Sequence, residues 1–156
     1  MEGKKEVKEE CEVKKYKLGY TQGVYDMFHI GHLNLLNNAK KLCEFLIVGI
    51  NTDELVENYK NKKPIIEENE RKTIVENIKA VDQCILVSTL DKTEIHKKIP
   101  FDAIFIGDDW KGNERWRNTE KELALRGAEV YYIPHTKGIS STQLRLVEDE
   151  RVGGLG

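Results

Sequence analysis

The stretch from residue 19 to residue 32, GYTQGVYDMFHIGH, ends on His29 and His32, three apart with Gly31 between them. Two imidazoles at that spacing admit three readings. As an H-x-x-H pair they can hold zinc, but no cysteine or carboxylate nearby completes a ligand set. As ordinary helix-start residues they are structural. As phosphate donors they have a favourable setting. Gly31 lets a ligand approach the backbone, and His32 heads a helix whose unpaired N–H groups and positive dipole end attract an anion. Charge developing on a triphosphate during displacement at phosphorus is stabilised mainly by positioned donors and cations, so no nucleophilic side chain is needed. The spacing alone leaves the structural and the phosphate readings open.

Such donors need a frame, and the surrounding periodicities describe one. YKLGYTQGV (16–24) reads as a strand, and HLNLLNNAKKLC (32–43) as a helix through Leu33, Leu36, Ala39, Lys40 and Cys43. FLIVGI (45–50) is a short apolar run, as expected for a strand buried on both faces of a parallel sheet. ENERKTIVENIKAV (68–81) predicts an amphipathic helix, QCILVS (83–88) a third buried strand, and DKTEIHKKI (91–99) a short helix opened by Asp91. DAIFIG (102–107) predicts a fourth strand. DDWKGNERWRN reads as irregular, TEKELALRG (119–127) as a helix closed by Gly127, EVYYI (129–133) as a fifth strand, and SSTQLRLVED (140–149) as a last helix capped by Ser140 or Ser141.

Strands and helices alternating in this way predict a Rossmann-like α/β/α sandwich around a parallel sheet of about five strands. Ligands gather beyond the carboxyl ends of such strands. Three polar, glycine-marked stretches fall there: GVYDMFHIGH after the first strand, GDDW after the fourth and HTKGISST after the fifth. Neither G-x-G-x-x-G after the first strand nor G-x-x-x-x-G-K-[ST] occurs, which disfavours a dinucleotide dehydrogenase or a P-loop NTPase.

Composition narrows the partners. The chain has 156 residues, a size that suits one domain. Its 25 basic and 27 acidic residues are interspersed, with no basic stretch dense enough for a nucleic-acid footprint. No apolar run approaches the ~18 residues of a membrane span. Residues 1–15 read as a charged extension without the apolar core of a secretory signal, residues 16–149 as the folded domain and residues 150–156 as a tail. Cys11, Cys43 and Cys84 are odd in number and lack C-x-x-C spacing, which fits free thiols in a reducing cytoplasm.

GVYDMFHIGH, ERKTIVENIKAVDQ, GDDWKG and HTKGISST, in that order, resemble the cytidylyltransferase family of the H-x-G-H nucleotidyltransferases. The likeness spans roughly residues 19–145, and GDDW is most like the bacterial glycerol-3-phosphate cytidylyltransferases that serve wall teichoic acid and surface polysaccharide synthesis. It implies attack of an alcohol phosphate on the α-phosphorus of CTP, Mg²⁺ held mainly by the CTP phosphates rather than by protein side chains, and a homodimer. A phosphate monoester is largely dianionic at neutral pH, so the site needs cations more than a general base.

The resemblance implies that Gly23, Val24, Tyr25 and Asp26 line the nucleotide, with Asp26 also near the acceptor. His29, Gly31 and His32 would meet the triphosphate and its transition state. Lys62, in YKNKKP, would reach the CTP phosphates and Lys60 the acceptor phosphate. Arg71 matches the family's arginine on the following helix, where a planar fork suits a triphosphate or a positioning carboxylate. For these three cations a solvated charge run is the plain alternative. Asp108 and Asp109 would orient Mg²⁺-bound phosphates or bind hydroxyls, Asp109 toward the nucleotide and Asp108 toward the acceptor; either could also simply turn the chain. Trp110 reads as a packing residue or as a wall of the acceptor pocket. His135, Thr136, Gly138, Ile139, Ser140, Ser141 and Thr142 would bind the nucleotide at the start of the last helix.

Two positions depart from the family pattern. His135 stands where arginine is common. Val24 and Tyr25 stand where the glycerol-phosphate enzymes usually show threonine and phenylalanine, and an aliphatic residue there is more usual with choline or ethanolamine phosphate. A quaternary ammonium acceptor would require an aromatic cage, for which Trp110, Trp116, Tyr131 and Tyr132 are the available rings. An ATP-dependent relative and a non-catalytic nucleotide-binding module are the further alternatives.

Overall fold

The computed structural model describes residues 14–134. Five strands form one parallel sheet in the order β3-β2-β1-β4-β5: β1 (Tyr16–Gly23), β2 (Cys43–Asn51), β3 (Gln83–Val87), β4 (Ala103–Gly107) and β5 (Glu129–Ile133). The helices are α1 (Ile30–Leu42), α2 (Asp53–Lys60), α3 (Glu68–Glu76), α4 (Lys92–Lys98) and α5 (Glu114–Leu125). The expected α/β/α sandwich is present.

Side-chain alternation along the strands separates two cores. Leu36 and Ala39 of α1 and Val75 of α3 pack on Leu46, Val48, Ile50, Ala103 and Phe105. Ile95 of α4 and Leu123 of α5 pack on Tyr20, Ile47 and Ile104 from the other side. Burying one apolar stripe per helix against a two-faced sheet supplies the main stabilisation. The chain leaves β1 toward β2 through α1, and returns from β3 to the far side of β1 through α4. Strand order therefore reverses between β1 and β4, and their carboxyl ends, Gly23 and Gly107, flank the crevice that this reversal opens.

Several boundaries differ from the sequence reading. The segment after β2 forms the unforeseen helix α2: the Thr52 hydroxyl accepts from the Leu55 N–H, Asp53 and Glu54 sit in the positive first turn, and Asn61 ends it in the left-handed region at φ 56°. α3 stops at Glu76 instead of continuing to residue 81, with the Asn77 side chain donating back to the Thr73 carbonyl. Half of the stretch read as irregular is helical, because the Asn113 side chain caps Arg115 and Trp116 and starts α5 five residues early. β3 is an edge strand and only half buried, and Phe45 of β2 is 42% exposed. Gly127 closes α5 at φ +84°, with the Ala128 N–H bonding to the Leu123 carbonyl, as its type predicted. The expected last helix and the residues His135, Thr136, Gly138, Ile139, Ser140, Ser141 and Thr142 lie outside the described residues.

Candidate active site

The two histidines form the N-terminal cap of α1. Nδ1 of His29 accepts from the Gly31 N–H at 3.0 Å, and Nδ1 of His32 accepts from the His29 N–H at 3.1 Å, a capping box built from imidazoles. The rings stack with centroids 3.8 Å apart. A nitrogen that accepts carries no proton, so in each neutral ring the proton sits on Nε2, at the edge that the cap does not use. Burial drives both rings toward that neutral form. It lowers the His32 pKa to about 4, with neighbouring His29 adding to the shift and the Asp26 carboxylate opposing it; burial also lowers that of His29. The structural reading is therefore met at Nδ1, which builds the helix start, and does not exclude the phosphate reading, which concerns Nε2.

The loop between β1 and α1 is bent hard to deliver these rings. Tyr25 and Met27 both take left-handed backbone, at φ 54° and 49°, unusual for large side chains. A Cβ at Gly23 would lie 3.0 Å from the Tyr25 ring, so any larger residue would require that ring to shift by a few tenths of an ångström. Tyr25 points inward and is buried, its ring edge-on to His32 at 5.4 Å. Its hydroxyl is buried without a hydrogen bond of normal geometry, against Thr21, whose own hydroxyl donates to the Phe105 carbonyl. Tyr25→Phe is therefore expected to hold or raise the urea midpoint, by up to about 1 kcal/mol of stability, since an unsatisfied buried hydroxyl is removed. A fall of similar size would reveal a Tyr25–Thr21 hydrogen bond instead.

Two clamps hold this loop. The Asp26 carboxylate accepts from the Ile65 N–H at 2.7 Å and the Ile66 N–H at 2.9 Å, across to the loop that joins α2 and α3. Arg71, on α3, is fully buried. Its Nη1 donates to the carbonyls of Val24 (2.8 Å) and Asn51 (2.9 Å), its Nε to the Ile66 carbonyl (2.7 Å), and its Nη2 to Asp53 Oδ1 (2.6 Å). Asp53 and Glu68 in turn cap each other's backbone N–H groups. Arg71, expected to work on the triphosphate or through a positioning carboxylate, here spends four of its five N–H groups on protein acceptors. Asp53 is that carboxylate, and Asn51, Asp53 and Glu68 had not been singled out. The Thr-Asp-Glu start of α2 was the available signal.

Lys60 ends α2 with its ammonium over the Tyr59 ring at 5.7 Å, and Lys62 lies exposed in the following loop. After β4, Asp108, Asp109 and Trp110 form one 3-10 turn at the rim of the crevice, and Trp110 is 48% exposed, which does not fit a packing role. The four rings considered for a quaternary ammonium cage are divided. Tyr131 packs on the α1 face with Tyr16 and Phe105, whereas Trp116 belongs to the α4/α5 core under Lys92, and Tyr132 bonds to Glu120 of α5.

A parallel sheet with a reversal in strand order, and an imidazole-capped helix following its first strand, define a phosphate-handling α/β protein of the nucleotide-binding type. The family model described as cytidylyltransferase-like matches residues 20–147, and the chain belongs to that family. It is similar to the glycerol-3-phosphate cytidylyltransferases of Bacillus spizizenii, at 39% identity over 126 residues covering 80% of this chain and 92% of that one, and of Bacillus subtilis, at 35% over 138 residues covering 86% and 96%. Among solved structures, the lipopolysaccharide core biosynthesis protein of Thermoplasma volcanium matches with TM-score 0.66 and 27% identity, over 80% of this chain and 99% of that one. Pantothenate synthetase from Thermus thermophilus, at 12% identity and TM-score 0.55 over 95% and 75%, shares the fold.

Proposed function

We propose that the chain transfers the cytidylyl group of CTP to sn-glycerol 3-phosphate, giving CDP-glycerol and pyrophosphate. The observation that carries the reading is the imidazole cap of α1: two stacked rings at the β1/β4 crevice, each accepting a backbone N–H at Nδ1, which favours the tautomer protonated at Nε2. In the reaction an oxygen of the acceptor phosphate attacks the α-phosphorus, the bond to the bridging oxygen breaks, and pyrophosphate leaves. The Nε2–H groups of His29 and His32 donate to the phosphoryl oxygens on which charge accumulates, and Lys62 and Lys60 supply the positive charge that neutral rings do not. Arg71 holds the frame.

The acceptor assignment is supported by the named activity of the relatives above. It is also supported by the division of the aromatic rings between the two faces of the sheet. Val24 contributes its backbone carbonyl to Arg71, so its departure from threonine does not by itself demand a different acceptor.

Among the described residues no three His, Cys, Asp or Glu side chains group as a metal site. The expected Mg²⁺ would enter as part of the nucleotide complex, held mainly by the CTP phosphates, with Asp108 and Asp109 at the rim orienting the phosphates it binds. When bound, it neutralises phosphate charge. No helix among the described residues is long and apolar enough to cross a membrane. A cytoplasmic homodimer supplying CDP-glycerol to surface polymer synthesis completes the reading.

Pyrophosphate release, measured with CTP, ATP, GTP and UTP against a panel of alcohol phosphates, tests it. Turnover is expected with CTP and glycerol 3-phosphate. Turnover only with choline phosphate would move the acceptor and keep the chemistry, and no turnover with any pair would sink the enzyme.

A further inference from the structure

We infer that Asp26 is a positioning residue that ties the lysine-bearing arch of residues 61–66 to the loop carrying the histidine cap, rather than a ligand of the nucleotide or the acceptor. The inference rests on the proposed function only in taking Lys62 as the group that meets the CTP phosphates.

The arch runs from Asn61, the left-handed residue that ends α2, to Glu67, whose side chain caps α3. At its far end the backbone is held from two directions. Asp26 accepts the Ile65 and Ile66 N–H groups with one oxygen each, and Arg71 Nε donates to the Ile66 carbonyl. Ile65 itself is 69% exposed, so apolar burial of that side chain does not anchor the arch there. What fixes it is polar and comes from Asp26 in the β1–α1 loop together with Arg71 on α3. Asp26 lies three residues before His29, in the left-handed bend between Tyr25 and Met27, and its charge is felt by His32. One carboxylate thus ties the loop carrying the histidines to the loop carrying Lys62. With both its oxygens on backbone amides, Asp26 is a poor direct ligand for a triphosphate, whose charge it would repel. Its contribution is to fix the distance between donor and cation, which positioning arguments make as consequential as the groups themselves.

A double-mutant cycle combined with amide exchange tests this. Lys62→Ala is expected to raise the KM for CTP by about tenfold, and Asp26→Ala by a comparable factor; the double variant is expected to resemble Lys62→Ala alone within about twofold, because Asp26 acts through Lys62. Independently of any turnover, the Ile65 and Ile66 amides of Asp26→Ala should exchange at least about tenfold faster than in the wild type, while strand amides keep their protection. Asp26→Asn, with one acceptor oxygen left, should unprotect one of the two amides and keep the protein folded if the alanine variant does not fold.

Single-variant losses that multiply in the double variant would overturn the inference and restore Asp26 as a direct ligand. Unchanged exchange at Ile65 and Ile66 would overturn it as well. If the wild type shows no CTP turnover, the proposed function falls on its own, and the exchange result still decides whether Asp26 clamps the arch.

Discussion

His32→Gln is expected to lower kcat by about 10²-fold or more while leaving the unfolding midpoint close to that of the wild type, the scale seen when one preorganised donor to a developing oxyanion is removed. The separation follows from how the ring is used. Nδ1 of His32 accepts the His29 N–H as the third residue of a capping box, a task for which glutamine is a standard residue. A glutamine that spends its oxygen there carries its N–H groups on the adjoining amide nitrogen, and does not place a donor where Nε2 stands across the imidazole. His32→Ala removes both functions, and should lose the same turnover together with about 1 kcal/mol of stability from the broken cap. If His32→Gln keeps its turnover, or if His32→Ala loses only stability, the ring is a structural helix-start residue.

The same bond predicts a pH dependence of stability. Burial disfavours the charged His32 ring and neighbouring His29 adds to this, so its folded pKa of about 4 lies below the ordinary value of 6.5; protonation would also put a proton on the nitrogen that accepts the His29 N–H. The unfolded chain then binds more protons than the folded one. This contribution is complete above pH 6.5 and is lost as the pH falls through about 4. Urea midpoints between pH 8 and pH 4 should show the decline in the wild type and a smaller one in His32→Gln.

The strands were legible in the sequence because a buried parallel sheet writes itself as short apolar runs, FLIVGI and DAIFIG among them. Gly127 was legible because a helix end needs the left-handed residue that glycine provides. α2 was not, because DELVENYK is only two turns long and buries only Val56, even though Leu55, Val56 and Tyr59 fall at helical spacing; its start is marked by the Thr52 cap. The histidines were legible as helix-start residues and as candidate phosphate donors. That they are neutral, and that their own backbone fixes their tautomer, follows from contacts three residues apart whose geometry the sequence does not state. Arg71 was visible only as a cation. Its partners come from residues 24, 51, 53 and 66, and that convergence is a property of the fold.

Arg71→Ala is accordingly expected to act on stability before it acts on substrate. The guanidinium is fully buried and satisfies three carbonyls and one carboxylate that converge from the loop after β1, the end of β2, the start of α2 and the loop before α3. Removing it leaves those largely buried acceptors without their donor, and the loss should reach about 3 kcal/mol in urea unfolding without nucleotide. Arg71→Lys should recover little, because one ammonium on a flexible stem does not span acceptors that a planar fork reaches at once. The effect should change little between low and high salt, since buried pairs are weakly screened. A phosphate ligand would behave otherwise: its alanine variant would keep the unfolding midpoint and raise the KM for CTP. An Arg71→Ala protein within about 1 kcal/mol of the wild type, bound more weakly by CTP, would return this residue to the nucleotide and leave the Val24 carbonyl without its assigned role.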